Sequence, residues 1–302
     1  MTVDRPSKTP ALPAGPTGGQ PQVRRRRRRR HLTAGEVLSR IGIIVVATLF
    51  CFPLVWMVSS SLKPSFEVLS SSSLLGSRIE FSNYTTAWTQ VPFGRIILNS
   101  IFVSTAGALL AVTVSLLSAY AYARLRFRFR NHLFLLFLGT LVLPQEILVI
   151  PLYLMASRVG AVDTYYALIL PFAFGAFGAF MLRQFLLTLP ADYEDAARID
   201  GAGQLKILWH VIIPLVRAPL AVVGVFTFIE YWNNFLWPLI VINDPSMATL
   251  PLGLQMFSGE RGTDWGPLMA AATLAAVPSI LIVIAMQRQL AHGLNLGGFG
   301  GR

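Results

Sequence analysis

A run without a charged residue extends from Ile96 to Ala123. It is longer than the ~20 residues that a helix needs to cross the hydrocarbon core of a bilayer. Other apolar runs of similar length follow, and only 13% of the residues are charged, whereas soluble domains carry about a quarter. The sequence therefore predicts an all-α polytopic membrane protein.

Six apolar segments are long enough to be membrane spans. They are predicted at about 41–62, 96–123, 133–156, 164–185, 220–242 and 265–287. An even number of spans places both termini on one side of the membrane. Lys and Arg concentrate in the N-terminal tail, in 124–130, in 188–219 and at the C-terminus, so the positive-inside rule predicts that both termini are cytoplasmic.

The first 35 residues predict a disordered basic tail that precedes a six-helix domain at 36–302. The tail is rich in Pro, Gly and Thr, and Arg24 to Arg30 are all arginine. An arginine run is typical of nucleic-acid binding, or of a cytoplasmic anchor on anionic lipid beside a span. The span that follows favours the anchor, so we expect membrane lipid as a partner and no nucleic acid.

Metal-ligating residues are sparse and scattered in this chain. Cys51 is the only cysteine, and the four histidines have no ligand-like spacing. The sequence predicts no metal and no cofactor. A membrane-embedded enzyme would need several catalytic groups at membrane depth, where only Glu146 and Glu230 are expected. A receptor or scaffold would need an ordered cytoplasmic domain, and the tail does not predict one.

The longest polar interruption between spans extends from Thr188 to Pro219. Pro190 suits the first turn of a helix, and acidic residues follow early, where the helix dipole favours them. Gly201 and Gly203 predict the end of this helix, and a second short helix is predicted at Leu205 to Val211. The small face that Ala197 and Gly201 form could receive a partner, or the segment could be a re-entrant hairpin on its own protein. These signals leave both alternatives open.

The spacing within this interruption is specific. Asp195-Ala196-Ala197 is followed, after three residues, by Gly201. After nine more residues comes Val211-x-Ile213-Pro214. This resembles the Glu-Ala-Ala-x3-Gly-x9-Ile-x-Leu-Pro loop (the EAA loop) of permease subunits in binding-protein-dependent ABC importers. This chain departs from the pattern conservatively: Asp195 replaces Glu, Val211 replaces Ile and Ile213 replaces Leu. The neighbouring Asp200-Gly201-Ala202 also matches.

Shorter matches extend the resemblance over about residues 40–300, to the maltose-type carbohydrate permeases. They are Asn83-Tyr84, Asn99-Ser100, Trp232-Asn233-Asn234, Gly293-Leu294 and Gly297-Gly298. The resemblance implies a type I ABC importer permease fold in a bacterial or archaeal cell membrane. It also implies a second permease subunit, two copies of a cytoplasmic ATPase subunit and an extracytoplasmic solute-binding protein as partners.

By this resemblance the loop is a coupling helix that docks on the ATPase. The residues carried over for ATPase coupling are Asp195, Ala196, Ala197, Asp200 and Gly201. The chain has no G-x-x-x-x-G-K-[ST] motif, so it is not expected to be an enzyme, and ATP hydrolysis is assigned to the partner.

Candidate substrate contacts combine aromatic rings, amides and two carboxylates. They are Glu146, Glu230, Tyr231, Trp232, Asn233 and Asn234. Rings and amides suit a sugar or oligosaccharide, but the same side chains also occur at helix contacts. Glu146 lies between two prolines, which also allows a kinked gate or a proton relay. A polyol or glycerol phosphate is the alternative cargo, and an ion-driven secondary transporter is the alternative class.

Overall fold

The computed structural model describes residues 34–259 and 262–297, and most of them are helical. By its internal contacts the chain divides into residues 1–50 and 51–302. Residues 1–33 of the predicted tail, Gly298 and the remaining C-terminal residues lie outside the described part. The strands within that part are Ser258–Gly259 and Gly262–Thr263, which pair antiparallel.

Fifteen α-helices occur in the described residues. The first eight are α1 (Ala34–Ser60), α2 (Glu67–Ser70), α3 (Ser82–Gln90), α4 (Phe93–Arg124), α5 (Arg130–Gly139), α6 (Gln145–Arg158), α7 (Tyr165–Ile169) and α8 (Ala176–Thr188). The others are α9 (Asp192–Ile199), α10 (Gln204–Ile207), α11 (Ile213–Leu215), α12 (Arg217–Asn233), α13 (Leu236–Val241), α14 (Leu250–Gln255) and α15 (Trp265–Gly297).

Three helices are long and apolar enough to cross a membrane without a break. They contain Leu38–Ser60, Phe93–Arg124 and Trp265–Ala285. Three further candidates are helix pairs: Arg130–Val142 with Gln145–Arg158, Tyr165–Phe172 with Ala176–Thr188, and Gln204–Leu215 with Arg217–Asn233. If each pair is one span, the described part of the chain contains six.

The predicted spans at 133–156 and 164–185 each contain a break between two helices. The first pair bends by 99° at Pro144, which lacks an N–H and adopts an extended ψ of 131°. The second bends by 44° near Gly175, whose ψ is 141°. The predicted span at 220–242 is likewise divided: α12 ends at Asn233, because Asn234 is extended, and α13 is a separate helix.

The buried helix α4 organises the packing. Helices α8 and α12 lie along it, and α15 packs on α3 and α12. At one end α4 contributes Phe93 and Ile96 to an apolar core, and at the other end Leu116 and Ala119 belong to a second core. Gly107 allows α12 to approach closely, since a Cβ there would lie 2.6 Å from the ring of Tyr231.

Candidate functional site

The interruption between α8 and α12 folds as a helix, a glycine turn and a second, irregular helical segment. Helix α9 carries its acidic residues in the first turn and ends before Gly201, whose φ of +77° is the left-handed conformation that glycine adopts readily. The predicted second helix at Leu205 to Val211 is wrong in detail. Helix α10 covers only Gln204–Ile207, and Leu208–Ile212 forms a wider π turn. Pro214 has no N–H to donate to the carbonyl of His210, which favours such a turn.

One side of this loop packs on its own protein. Ile207, Leu208 and Ile212 are buried in the second core, which α4 and α8 also form. The hydroxyl of Tyr120 on α4 donates a hydrogen bond to Oε1 of Gln204 at 2.7 Å. The hairpin alternative therefore describes this side of the loop.

The other side of the loop is exposed and partly apolar. Asp195, Ala196, Asp200 and Gly201 are exposed, and Ala197 is half-buried. A Cβ added at Gly201 would meet nothing within 4 Å. Large apolar side chains flank these positions, namely Tyr193, Ile199, Leu205 and Trp209. We call these nine residues the exposed face.

Ion pairs fix the base of α9. Glu194 is only 2% exposed, and its Oε1 lies 2.7 Å from Nε of Arg124, although this N–H is not aligned for a hydrogen bond. Glu194 also pairs with Arg198, one turn later, at 3.4 Å, and Arg198 contacts Asp195 at 2.6 Å. The contact of Glu194 with Arg124 is more buried than either contact of Arg198, and it is shorter than the Glu194–Arg198 contact.

A separate polar cavity of about 210 Å³ lies where α6, α12 and α13 meet. Glu146, Glu230 and Asn234 line it, together with Gln145 and Trp237. Nε2 of Gln145 donates a hydrogen bond to Oε1 of Glu230 at 3.1 Å. A second cavity of about 360 Å³ shares Gln145 and Glu230 and extends between α4 and α8. No Lys or Arg of the described residues lines either cavity.

The other candidate substrate contacts point elsewhere. The hydroxyl of Tyr231 donates to the carbonyl of Ile169 at 2.6 Å, and Trp232 is buried against Phe228. Asn233 is exposed and bonds the carbonyl one turn earlier in its own helix. These contacts of Tyr231 and Trp232 agree with the helix-contact alternative. Gln145 and Trp237 were not among the predicted contacts, because no local pattern in the sequence indicates that α6 and α13 meet at this cavity.

Polar contacts also hold the N-terminal end of α4, the end far from Arg124. Nδ2 of Asn99 donates to the carbonyls of Ser246 and Ala248, and the hydroxyl of Tyr165 donates to Oδ1 of Asn99. Asn99 therefore ties α7 and the segment before α14 to α4.

Asp163, before α7, accepts bonds from the segment after α13. Its carboxylate accepts backbone N–H bonds from Asp244 and Asn243, and these hold its pKa below the usual range. Two loops are thereby joined through one carboxylate.

Residues 111–295 match a protein family described as the inner membrane component of binding-protein-dependent transport systems. This chain belongs to that family. It is a permease subunit of an ABC importer in a membrane, as the EAA-type loop predicted, and the prediction of an all-α, type I permease fold is confirmed.

Curated relatives cover nearly the whole length of the chain. The "sn-glycerol-3-phosphate transport system permease protein UgpE" of Yersinia pestis bv. Antiqua (strain Antiqua) is 35% identical over 268 residues, which are 86% of this chain and 95% of that one. The "Arabinooligosaccharides transport system permease protein AraQ" of Halalkalibacterium halodurans is 34% identical over 272 residues, 87% and 96% of the two chains.

Solved structures share the fold. One belongs to a bacterial ABC transporter involved in the import of the acidic polysaccharide alginate. It superposes with a TM-score of 0.75 at 23% identity and covers 83% of this chain and 95% of its own. Another is a bacterial alginate ABC transporter in complex with an alginate pentasaccharide-bound periplasmic protein, with a TM-score of 0.58, 16% identity and coverage of 84% and 94%.

Proposed function

We propose that this permease subunit moves a sugar or oligosaccharide into the cytoplasm, while a separate subunit hydrolyses ATP. A second permease subunit, two copies of the ATPase and an external solute-binding protein complete the importer. The periplasmic protein in the alginate transporter structure supports the last of these partners. The observation that carries the proposal is the exposed face of a loop whose other side is buried in the second core.

The exposed face has the properties of a docking surface. Ile199 is 87% exposed although its side chain is wholly apolar, and Leu205 and Trp209 are also largely exposed. The small residues Ala196 and Gly201 leave room for a close approach. Such contiguous apolar exposure beside polar residues typically marks a protein interface. We assign Asp195, Ala196, Ala197, Asp200 and Gly201 to the contact with the ATPase.

This assignment places the loop and both termini in the cytoplasm. The arginines that directly follow α4 support this orientation, since Lys and Arg concentrate on the cytoplasmic side. The loop that contains Val159 and Asp163 is then external.

Two matched substitutions test docking and orientation together. We expect that Ile199→Glu prevents co-purification of the ATPase, because a charge replaces an apolar contact. Val159→Glu is the control, since Val159 is 78% exposed in the loop assigned to the outside. It should leave binding unchanged. Normal ATPase binding by the Ile199→Glu variant would refute the docking assignment, and loss of binding by the Val159→Glu variant would refute the orientation.

The cavities support a neutral polyhydroxylated cargo. Glu146, Glu230, Gln145 and Asn234 can bond hydroxyl groups. Two carboxylates without a cation in the described lining would repel a phosphate group. A sugar is therefore favoured over glycerol phosphate, the cargo that the name of one relative gives.

Uptake by the assembled importer tests the cargo. We expect Glu230→Gln to lower uptake of a neutral oligosaccharide about ten-fold, the size of effect expected when a hydrogen bond to a charged group is lost. Assembly should be unaffected. Asn233→Ala is the matched control, because Asn233 lies outside both cavity linings. If Glu230→Gln instead raises uptake of glycerol phosphate and leaves sugar uptake unchanged, the alternative cargo is correct.

A further inference from the structure

A single arginine side chain joins two spans to the loop that carries the exposed face. Arg124 is the last residue of α4. Its Nη2 donates hydrogen bonds to the carbonyls of Leu186 and Leu189, at 2.9 and 2.8 Å, where α8 ends. Its Nε lies 2.7 Å from Oε1 of Glu194 in the first turn of α9. Three helix ends therefore meet at one guanidinium.

Burial makes this arrangement sensitive to change. Glu194 is 2% exposed and the Arg124 side chain 14%, so neither charge has full access to water as an alternative partner. Arg124 also binds two carbonyls at the C-terminal end of α8 and places a cation at the favourable end of the dipole of this helix. The planar guanidinium makes these contacts at once, which a lysine ammonium cannot reproduce with the same geometry.

Tyr120 provides a second link from the same face of α4, four residues before Arg124. Its hydroxyl bonds Gln204, which follows the Gly201 turn, whereas Glu194 precedes that turn. Helix α4 therefore contacts the loop on both sides of the turn. The arginines that follow Arg124 in the sequence differ from it in their ion pairs. Among the described residues, Arg126, Arg128 and Arg130 form no ion pair with a carboxylate.

We propose that the Arg124–Glu194 pair is the positioning contact through which displacement of the loop moves α4 and α8 together. This inference rests on the proposed docking of the loop on an ATPase. The same two helices line the larger cavity, through Ala111 and Ser115 on α4 and Gly178 on α8. A push on the exposed face is thereby transmitted to the walls of the cavity through a contiguous set of contacts.

The test compares the substrate transported per ATP hydrolysed in proteoliposomes that contain the complete importer. Glu194→Gln keeps the shape of the side chain and removes its charge. We expect unchanged recovery of the subunit and unchanged ATPase binding, but a fall of about five-fold or more in transport per ATP, the range of typical coupling free energies. Arg126→Gln is the matched control and should behave as wild type.

Arg124→Lys provides a conservative variant in case the neutral variant is poorly recovered. It keeps the cation but not the simultaneous contacts, so its transport per ATP should lie between those of wild type and Glu194→Gln. A purely structural role predicts less folded subunit with normal transport per ATP, and that result would overturn the inference. So would wild-type coupling in the Glu194→Gln variant. Either result leaves the docking proposal intact as long as Ile199→Glu still prevents ATPase binding.

Discussion

The turn at Gly201 allows conformational strain to be separated from steric conflict with a partner. Its φ of +77° lies in the left-handed region, and a Cβ built there meets no atom of the chain within 4 Å. Gly201→Ala therefore creates no clash within the subunit. Its intrinsic cost is the left-handed backbone itself, about 1–2 kcal/mol. Such a cost lowers the population of the native turn by a factor of roughly 5–30.

Gly203 supplies the matched control two residues away. Its φ is −72° and a Cβ there also meets nothing, so Gly203→Ala should cost little. We expect Gly201→Ala to weaken co-purification of the ATPase about five-fold or more and Gly203→Ala to leave it unchanged. The assay is titration of the purified ATPase against the permease in detergent. Equal affinities for the two alanine variants would refute the reasoning.

A third variant separates the two causes. Asparagine tolerates the left-handed region better than alanine but is larger. If strain alone is responsible, Gly201→Asn should bind the ATPase better than Gly201→Ala. If the partner approaches the turn closely, Gly201→Asn should bind worse. A result in which both variants bind as tightly as wild type would exclude both causes.

Two further predictions concern packing and the outer loops. Gly178→Ala should cost about 1–3 kcal/mol of stability, because its Cβ would lie 2.5 Å from Oγ of Ser115 and 2.9 Å from Cγ1 of Val223. Gly224→Ala is the control and should cost much less, since the nearest neighbour of its Cβ lies at 3.6 Å. Thermal unfolding in detergent measures both variants, and equal midpoints would contradict the prediction. Asp163→Asn should lower the unfolding midpoint at pH 7 by about 2 °C or more. Because the pKa of Asp163 is lowered in the fold, its ionised form stabilises the fold above the unfolded pKa of about 3.9, and this stabilisation is lost as pH falls through the folded pKa. The unfolding midpoint of the variant should therefore fall less on acidification than that of wild type. Identical pH profiles for the two proteins would count against this prediction.

Local signals account for what the sequence predicted well. The end of α9 at Gly201 depends on a glycine that adopts a left-handed φ, and this requirement is visible in the sequence. The EAA-type spacing likewise depends on neighbouring positions. Apolar runs predicted the membrane helices, and the prolines beside Glu146 allowed a kink, but the bend angles at Pro144 and Gly175 depend on how the neighbouring helices pack.

Long-range contacts account for what the sequence could not predict. Arg124 was assigned only to the cytoplasmic cluster of arginines, because nothing local to it shows that Glu194 lies beside it in the fold. Trp232 and Asn234 occur in one short polar and aromatic segment, yet one is buried and the other lines a cavity. Composition alone does not tell which way each side chain faces, and the contribution of Gln145 arises only when α6 and α12 meet.

The exposed face has a consequence for how the subunit is maintained in a cell. A polypeptide that presents Tyr193, Ile199, Leu205 and Trp209 to water resembles an unfolded segment to chaperones and proteases. Subunits made in excess of the ATPase would then be removed, and those that find it would be protected. The abundance of the transporter would accordingly follow its scarcer component, and expression without the ATPase would give low yields of the isolated subunit.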